Sequence, residues 1–284
     1  MSAPVQRAAG ALLPGRAAES LGDPVDDPPD AKGADAVGLG PYENRILPRI
    51  LDAACGAKTL EPLRRRVCAG LAGDVVEIGF GSGLNVPFYP SAVTRVAAVE
   101  PADASWKLAR KRLVAASVPV QRSGLDGQWL PFEDGSYDAA LSTWTLCTIP
   151  DVAAALRELR RVLKPGAALH FVEHGLAPDE RIRRWQRRLD PVQRRLAGGC
   201  HFTRPIVDLL TTAGFTINEL DVFYAEGTPK FAGASSLGTA VSPDGTGRQR
   251  AGSTPDRPNS DAHQRAGLQG IEGQRRKPSS ACGS

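Results

Sequence analysis

Residues 75–85 read Val75-Val76-Glu77-Ile78-Gly79-Phe80-Gly81-Ser82-Gly83-Leu84-Asn85. A short β-branched run carrying one acid leads into three glycines at alternate positions. That pattern describes a strand entering a tight loop, of the kind that lets backbone approach a nucleotide-like ligand. The spacing excludes two common solutions. A dinucleotide fingerprint starting at Gly79 needs its third glycine at position 84, where Leu84 stands. A P-loop ends in Gly-Lys-Ser/Thr, and here Leu84-Asn85 follow the last glycine.

Glu77 narrows the ligand further. A carboxylate beside a pyrophosphate is repulsive, whereas beside a sulfonium or an ammonium it is favourable. A second acid, Glu100, closes the run Arg95-Val96-Ala97-Ala98-Val99-Glu100. It lies about twenty residues on, where an acid can accept both hydroxyls of a ribose. S-adenosyl-L-methionine carries both cations and no phosphate, so it suits Glu77, Gly79, Gly81, Gly83 and Glu100 together. A structural turn with two exposed acids competes for a lone glycine loop, less so with both acids in register.

The composition fits this setting. The chain has 284 residues, 42% hydrophobic and 23% charged, with a formal net charge of +4. These values suit a soluble globular protein, and the charge is too mild to argue for nucleic acid. No apolar run reaches the roughly 18–20 residues of a membrane helix. The stretch 1–20 has no continuous apolar region, and the five cysteines are scattered without a CxxC pair. A cytoplasmic protein with reduced thiols is expected.

Residues 1–38 and 243–284 are rich in Gly, Pro and polar residues and lack apolar periodicity, so both are expected to be disordered. Between them, 39–242 is of single-domain size. Strands are predicted at 74–78, 95–99, 118–122, 137–142, 168–172, 216–224 and 236–241. Helices are predicted at 46–51, 60–71, 105–116, 152–163, 180–196 and 206–213. The alternation predicts a Rossmann-like, doubly wound α/β fold: a mostly parallel seven-stranded sheet with helices on both faces. The last two strands follow each other without a helix, which predicts an antiparallel edge.

Beyond the glycine loop, Leu130-Pro131-Phe132-Glu133-Asp134-Gly135-Ser136-Tyr137-Asp138 and the segment Asp151 to Gly166 (DVAAALRELRRVLKPG) resemble class I S-adenosylmethionine-dependent methyltransferases of the type 11 group. Phe171-Val172-Glu173-His174, Trp185-Gln186, Leu189-Asp190-Pro191 and Gly199-Cys200-His201-Phe202-Thr203-Arg204 are similar to the methyltransferase-like 7 family, the animal thiol methyltransferases, and to bacterial relatives. This chain departs from the animal proteins in having no hydrophobic N-terminal anchor. Residues 230–238, with Phe231 as their one aromatic, also depart from the aromatic-rich segment expected near the last strand.

The resemblance implies roles. Glu77 would face the methionine moiety, Gly79 and Gly81 would contact the cofactor through backbone, and Glu100 would hold the ribose. Asp126 would accept from the adenine amino group, with the Gly127 amide facing the ring. Thr143 and Trp144 would close over the cofactor, core packing being the alternative for Trp144. Candidate bases for the acceptor are Glu173, His174 and His201, each of which also has a structural reading. A thiol acceptor, with a pKa of about 8.5, needs little help from a base. No metal site is evident, because the close pair His170 and His174 straddles a strand end. The small-molecule acceptor is expected to be a thiol. The alternatives are a quinone or phenol, a phospholipid amine, or a non-catalytic cofactor-binding module. In the basic segment 180–196, Ile182, Trp185 and Leu189 share a helical face that Val192 and Leu196 continue after an interruption at Asp190-Pro191. A solvated helix over the site is preferred there to peripheral membrane contact.

Overall fold

The computed structural model describes residues 42–243; the two expected disordered segments lie almost wholly outside them. The elements are α1 (Leu47–Cys55), α2 (Glu61–Cys68), β1 (Gly73–Ile78), β2 (Val93–Val99), α3 (Asp103–Val114), β3 (Val120–Gly124), β4 (Tyr137–Thr143), α4 (Val152–Val162), β5 (Leu163–His174), α5 (Glu180–Leu196), α6 (Ile206–Thr212), β6 (Thr216–Tyr224), the one-turn α7 (Lys230–Gly233) and β7 (Ala234–Val241). The seven strands order as β3-β2-β1-β4-β5-β7-β6. β1 to β5 are mutually parallel, and β7 runs antiparallel to both β5 and β6.

This arrangement follows from the chain order. From β1 the chain builds outward through β2 to β3, then returns to lay β4 and β5 on the other side. The reversal between β1 and β4 leaves a crevice at their carboxyl ends, and the glycine loop sits there. The predicted antiparallel edge is present, with β7 inserted between β5 and β6. Val75, Val76, Ile78, Ala140, Leu141, Leu169, Phe171 and Val172 are fully enclosed, as strands covered on both faces require. One apolar cluster packs Val75, Trp106 and Leu113 on one face of the sheet, and the other packs Val76, Leu156 and Leu210 on the opposite face.

Helix α4 starts where its cap requires, Asp151 accepting from the Ala154 amide at 2.8 Å. It ends at Val162, and Lys164-Pro165-Gly166 lies within the early part of β5.

Two expectations for the basic helix are corrected. α5 is continuous from Glu180 to Leu196 with Pro191 inside it. Its inward face is also polar. Trp185, Val192 and Leu196 are 54%, 56% and 61% exposed, while Gln186 and Asp190 are buried. The buried face is polar because it meets backbone. Gln186 accepts from the Ala177 amide at 2.9 Å and donates to the carbonyls of Gly175 and Phe231 at 3.0 and 3.2 Å. Asp190 accepts from the Thr203 amide and hydroxyl, each at 3.2 Å. Among the described residues no helix is long and apolar enough to cross a membrane.

Candidate active site

The loop after β1 is shaped by three glycines with φ of +66°, +60° and +74° at positions 79, 81 and 83. A Cβ at Gly79 would come within 2.0 Å of Thr145 Oγ1, so this position is closed by the turn after β4. Gly81 is the opposite case. Its Cβ would meet only the Gly79 carbonyl, at 3.8 Å. The loop therefore presents bare backbone to open space at Gly81, as a cradle for a ligand does.

Both acids lie beneath this loop and are buried. Glu100 accepts from the Gly81 amide at 2.7 Å and from the Ala102 amide at 2.8 Å. The Arg122 guanidinium clamps the Glu100 carbonyl at 2.8 and 2.9 Å. Burial holds the Glu100 carboxyl above the usual carboxylate range, against the pull of the Ala102 and Gly81 amides. Glu77 is 1% exposed. It accepts from Asn85 Nδ2 at 2.8 Å and from the Tyr89 hydroxyl. Asn85 in turn donates to Thr143 Oγ1 at 3.0 Å and accepts from Arg64 at 2.7 Å. Burial pushes Glu77 up to about 7, with Tyr89 and Asn85 opposing the rise. Glu77 is thus a hub joining β1, the loop and the end of β4.

Asp126 Oδ1 accepts from the amide and side chain of Gln128 at 2.8 and 3.0 Å, closing a turn, and Gly127 lies against Ile149 and Ile78. Thr143 is buried at the end of β4. Trp144 follows it with φ +52°, an unusual value for a bulky residue. The Arg64 guanidinium lies 4.8 Å from the Trp144 ring, and the His174 ring lies 6.3 Å from it. Trp144 thus spans the two readings, packing partly against the core while bordering the site. A cavity of about 350 Å³ opens to one side of the glycine loop, lined by Cys55, Arg64, Leu84, Pro87, Phe88 and Arg112.

The three candidate bases separate. Glu173 is fully buried. It accepts from Ser142 Oγ at 2.7 Å, the Thr145 amide at 3.0 Å and the Cys147 amide at 3.2 Å. It anchors the turn after β4. His201 faces Asp190, Nδ1 to Oδ2 at 3.4 Å, and its amide donates to the Cys147 carbonyl at 2.9 Å. Burial and then Arg204 hold His201 below its ordinary range, with Asp190 opposing. His174 is half-buried at the end of β5, with Nδ1 3.7 Å from Cys200 Sγ. His170 is elsewhere, its Nδ1 2.9 Å from the Val67 carbonyl.

The sequence reading missed what His174 belongs to. Cys147 and Cys200, 53 residues apart, bring their sulfurs to 3.6 Å. The donor atoms of Cys147, His174 and Cys200 all lie within 4.8 Å of one another. The hydrogen bond shared with Cys147 holds Cys200 low, assisted by His174, while the same bond and burial push Cys147 up. Cys147 lies in the turn after β4 and Cys200 in the loop after α5. In the sequence Cys200 stood out only as part of the Gly199–Arg204 segment, and nothing marked Cys147.

Residues 76–171 match the methyltransferase domain family. A methyltransferase structure from Bacillus halodurans C-125 superposes with a TM-score of 0.55 at 18% identity, covering 66% of this chain and all of that one. The [4+2]-cyclase SpnF superposes at 0.50 and 20% identity, covering 66% of this chain and 80% of that one, so the likeness shows the fold and not the reaction. The sheet order, the glycine loop and the match over residues 76–171 give this chain the fold of the class I S-adenosylmethionine-dependent methyltransferases. Within that class it is similar to thiol S-methyltransferase TMT1A of Homo sapiens, 33% identical over 149 residues, covering 50% of this chain and 60% of that protein. It is also similar to thiol S-methyltransferase TMT1B of Rattus norvegicus, 31% identical over 153 residues, 52% of this chain and 62% of that protein. The 2-phytyl-1,4-naphtoquinone methyltransferase of Synechococcus elongatus is 34% identical over 119 residues, 42% of each chain. The chain thus spans about three fifths of the length of the thiol methyltransferases it matches.

Proposed function

We propose that this protein transfers the methyl group of S-adenosyl-L-methionine to a small thiol. The observation that carries the cofactor is the bare backbone at Gly81, held by Glu100 and flanked by two buried carboxylates. Two buried acids and no basic side chain on the loop itself disfavour a phosphorylated ligand and favour one that carries cations. The residues that would hold it are Gly79 and Gly81 by backbone, Glu100, Asp126 with Gly127, and Thr143 with Trp144. Glu77 acts through Asn85 and Tyr89, fixing the loop. S-adenosyl-L-methionine supplies an electrophilic methyl group, so the protein's work is to hold the acceptor in line and exclude water.

The thiol reading draws support from the similarity to the thiol methyltransferases. A quinone acceptor is the second reading, supported by the naphthoquinone methyltransferase likeness. The four described cysteines are free thiols, which suits the reducing cytoplasm we assign to the enzyme. The test pairs two measurements. Calorimetry with S-adenosylhomocysteine should give one site per chain, with no response to NAD. Labelled methyl from the cofactor should then appear on an alkyl thiol and not on a naphthoquinol. Binding of NAD without S-adenosylhomocysteine would overturn the cofactor assignment. Methylation confined to the quinol would overturn the thiol reading alone.

A further inference from the structure

Cys147, His174 and Cys200 come from three different elements and converge beyond the carboxyl ends of β4 and β5, on the same side of the sheet as the glycine loop. We propose that they form a three-ligand site for a soft divalent cation, zinc in the first instance, whose open fourth position receives the acceptor sulfur.

The distances carry the proposal. In a tetrahedral zinc site with Zn–S of about 2.3 Å and Zn–N of about 2.05 Å, the S···S edge is about 3.8 Å and the S···N edge about 3.6 Å. The observed edges are 3.6 Å for Cys147 Sγ to Cys200 Sγ and 3.7 Å for Cys200 Sγ to His174 Nδ1. The third edge closes within 4.8 Å. Two thiolates and one imidazole are a donor set suited to zinc, and three protein ligands leave one position free.

The surroundings hold these side chains in place. The Glu173 carboxylate fixes the Cys147 amide. The Cys147 carbonyl accepts from the His201 amide, which ties the Cys200 loop to the turn after β4. His201 is itself held against Asp190 of α5. The sulfurs are buried while His174 is half-exposed, so the cluster is approached from the His174 side. On that side stands Trp144, whose ring also meets Arg64, a residue of the cavity beside the glycine loop.

The role of the fourth position rests on the thiol reading proposed above. A thiol bound to a divalent cation is deprotonated, its proton passing to the buffer. The sulfur lone pair then forms the new S–C bond as the sulfonium C–S bond breaks, the electron pair remaining on the sulfur of S-adenosylhomocysteine. The product thioether is neutral and a weaker ligand, so it leaves.

The experiment uses the purified full chain, reduced and then titrated with zinc. One zinc ion per chain is expected, measured by elemental analysis after gel filtration. Cys200→Ser and His174→Ala should each weaken zinc binding by more than roughly 100-fold, and Cys55→Ser should retain it. S-adenosylhomocysteine calorimetry on each variant reports folding and the cofactor reading separately. Cobalt(II) replacing zinc should show a thiolate-to-metal charge-transfer band that strengthens on adding an alkanethiol and not on adding the matching alcohol. No stoichiometric uptake by the reduced wild type, or uptake that survives in Cys147→Ser/Cys200→Ser, overturns the site. Uptake with a cobalt spectrum indifferent to the thiol overturns the acceptor position.

Discussion

The Gly81 amide donates to the Glu100 carboxylate at 2.7 Å, so the acid expected to hold a ribose also holds the loop that would cradle the rest of the cofactor. Glu100→Ala is therefore expected to act twice. Cofactor affinity should fall by roughly 1.5–3 kcal/mol, the range for hydrogen bonds to a charged group. Thermal stability should fall as well, because the Gly81 amide and the buried Ala102 amide lose their acceptor. Calorimetry with S-adenosylhomocysteine and a melting curve check both effects. Unchanged affinity in a folded variant removes Glu100 from the site.

Gly79 and Gly81 should respond to alanine in opposite ways. At Gly79 the added Cβ meets Thr145 Oγ1 at 2.0 Å, so Gly79→Ala should be severely destabilised. At Gly81 the Cβ enters open space, and the cost is mainly that of φ +60°, about 1–2 kcal/mol. Gly81→Ala should fold and fail to bind the cofactor, whose place its methyl group takes. Denaturant melts and binding measured on both variants distinguish a closed turn from a ligand cradle.

Glu77 gives a pH dependence with a definite sign. Burial raises its carboxyl from 4.5 to about 7. Between those values the folded state holds a proton that the unfolded state releases, so stability falls as pH rises through the window. The loss should approach about 2–3 kcal/mol by pH 7. In Glu77→Gln the amide can accept from Asn85 and donate to the Tyr89 oxygen, and this component of the pH profile should disappear. Urea melts of both proteins from pH 4.5 to 7.5 make the comparison. Parallel profiles would show that Glu77 does not titrate there.

The fold was legible because its signals are local: β-branched runs, glycines and capping residues mark the parallel strands and the switch point within short windows. The acids and glycines of the proposed cofactor site share that property, since Glu77 to Gly83 is one continuous stretch and Glu100 follows the next strand. The acceptor side is different. Cys147, His174 and Cys200 meet only because β4, β5 and the loop after α5 end at one place. No spacing rule connects positions that the sheet topology brings together. Glu173 and His201 were marked by their positions at strand and loop ends, but burial and their partners engage them in anchoring that place.

Helix α5 misled the periodicity argument for a physical reason, and that reason is testable. Its inward face serves backbone groups, with Gln186 satisfying Ala177, Gly175 and Phe231, while Trp185 on the apolar stripe is 54% exposed. Gln186→Leu keeps much of the volume but strands one buried amide and two carbonyls, and should cost about 2–3 kcal/mol or more. Trp185→Ala removes a large apolar side chain yet should stay within roughly 0.5 kcal/mol of the parent, as surface substitutions do. Urea denaturation of the two variants gives the ranking. If Trp185→Ala proves the more destabilising, the apolar stripe of α5 is covered in solution, by another part of this chain or by a second copy. Repeating the Trp185→Ala melt over a range of protein concentrations then separates those two covers, because only a second copy makes the loss depend on concentration.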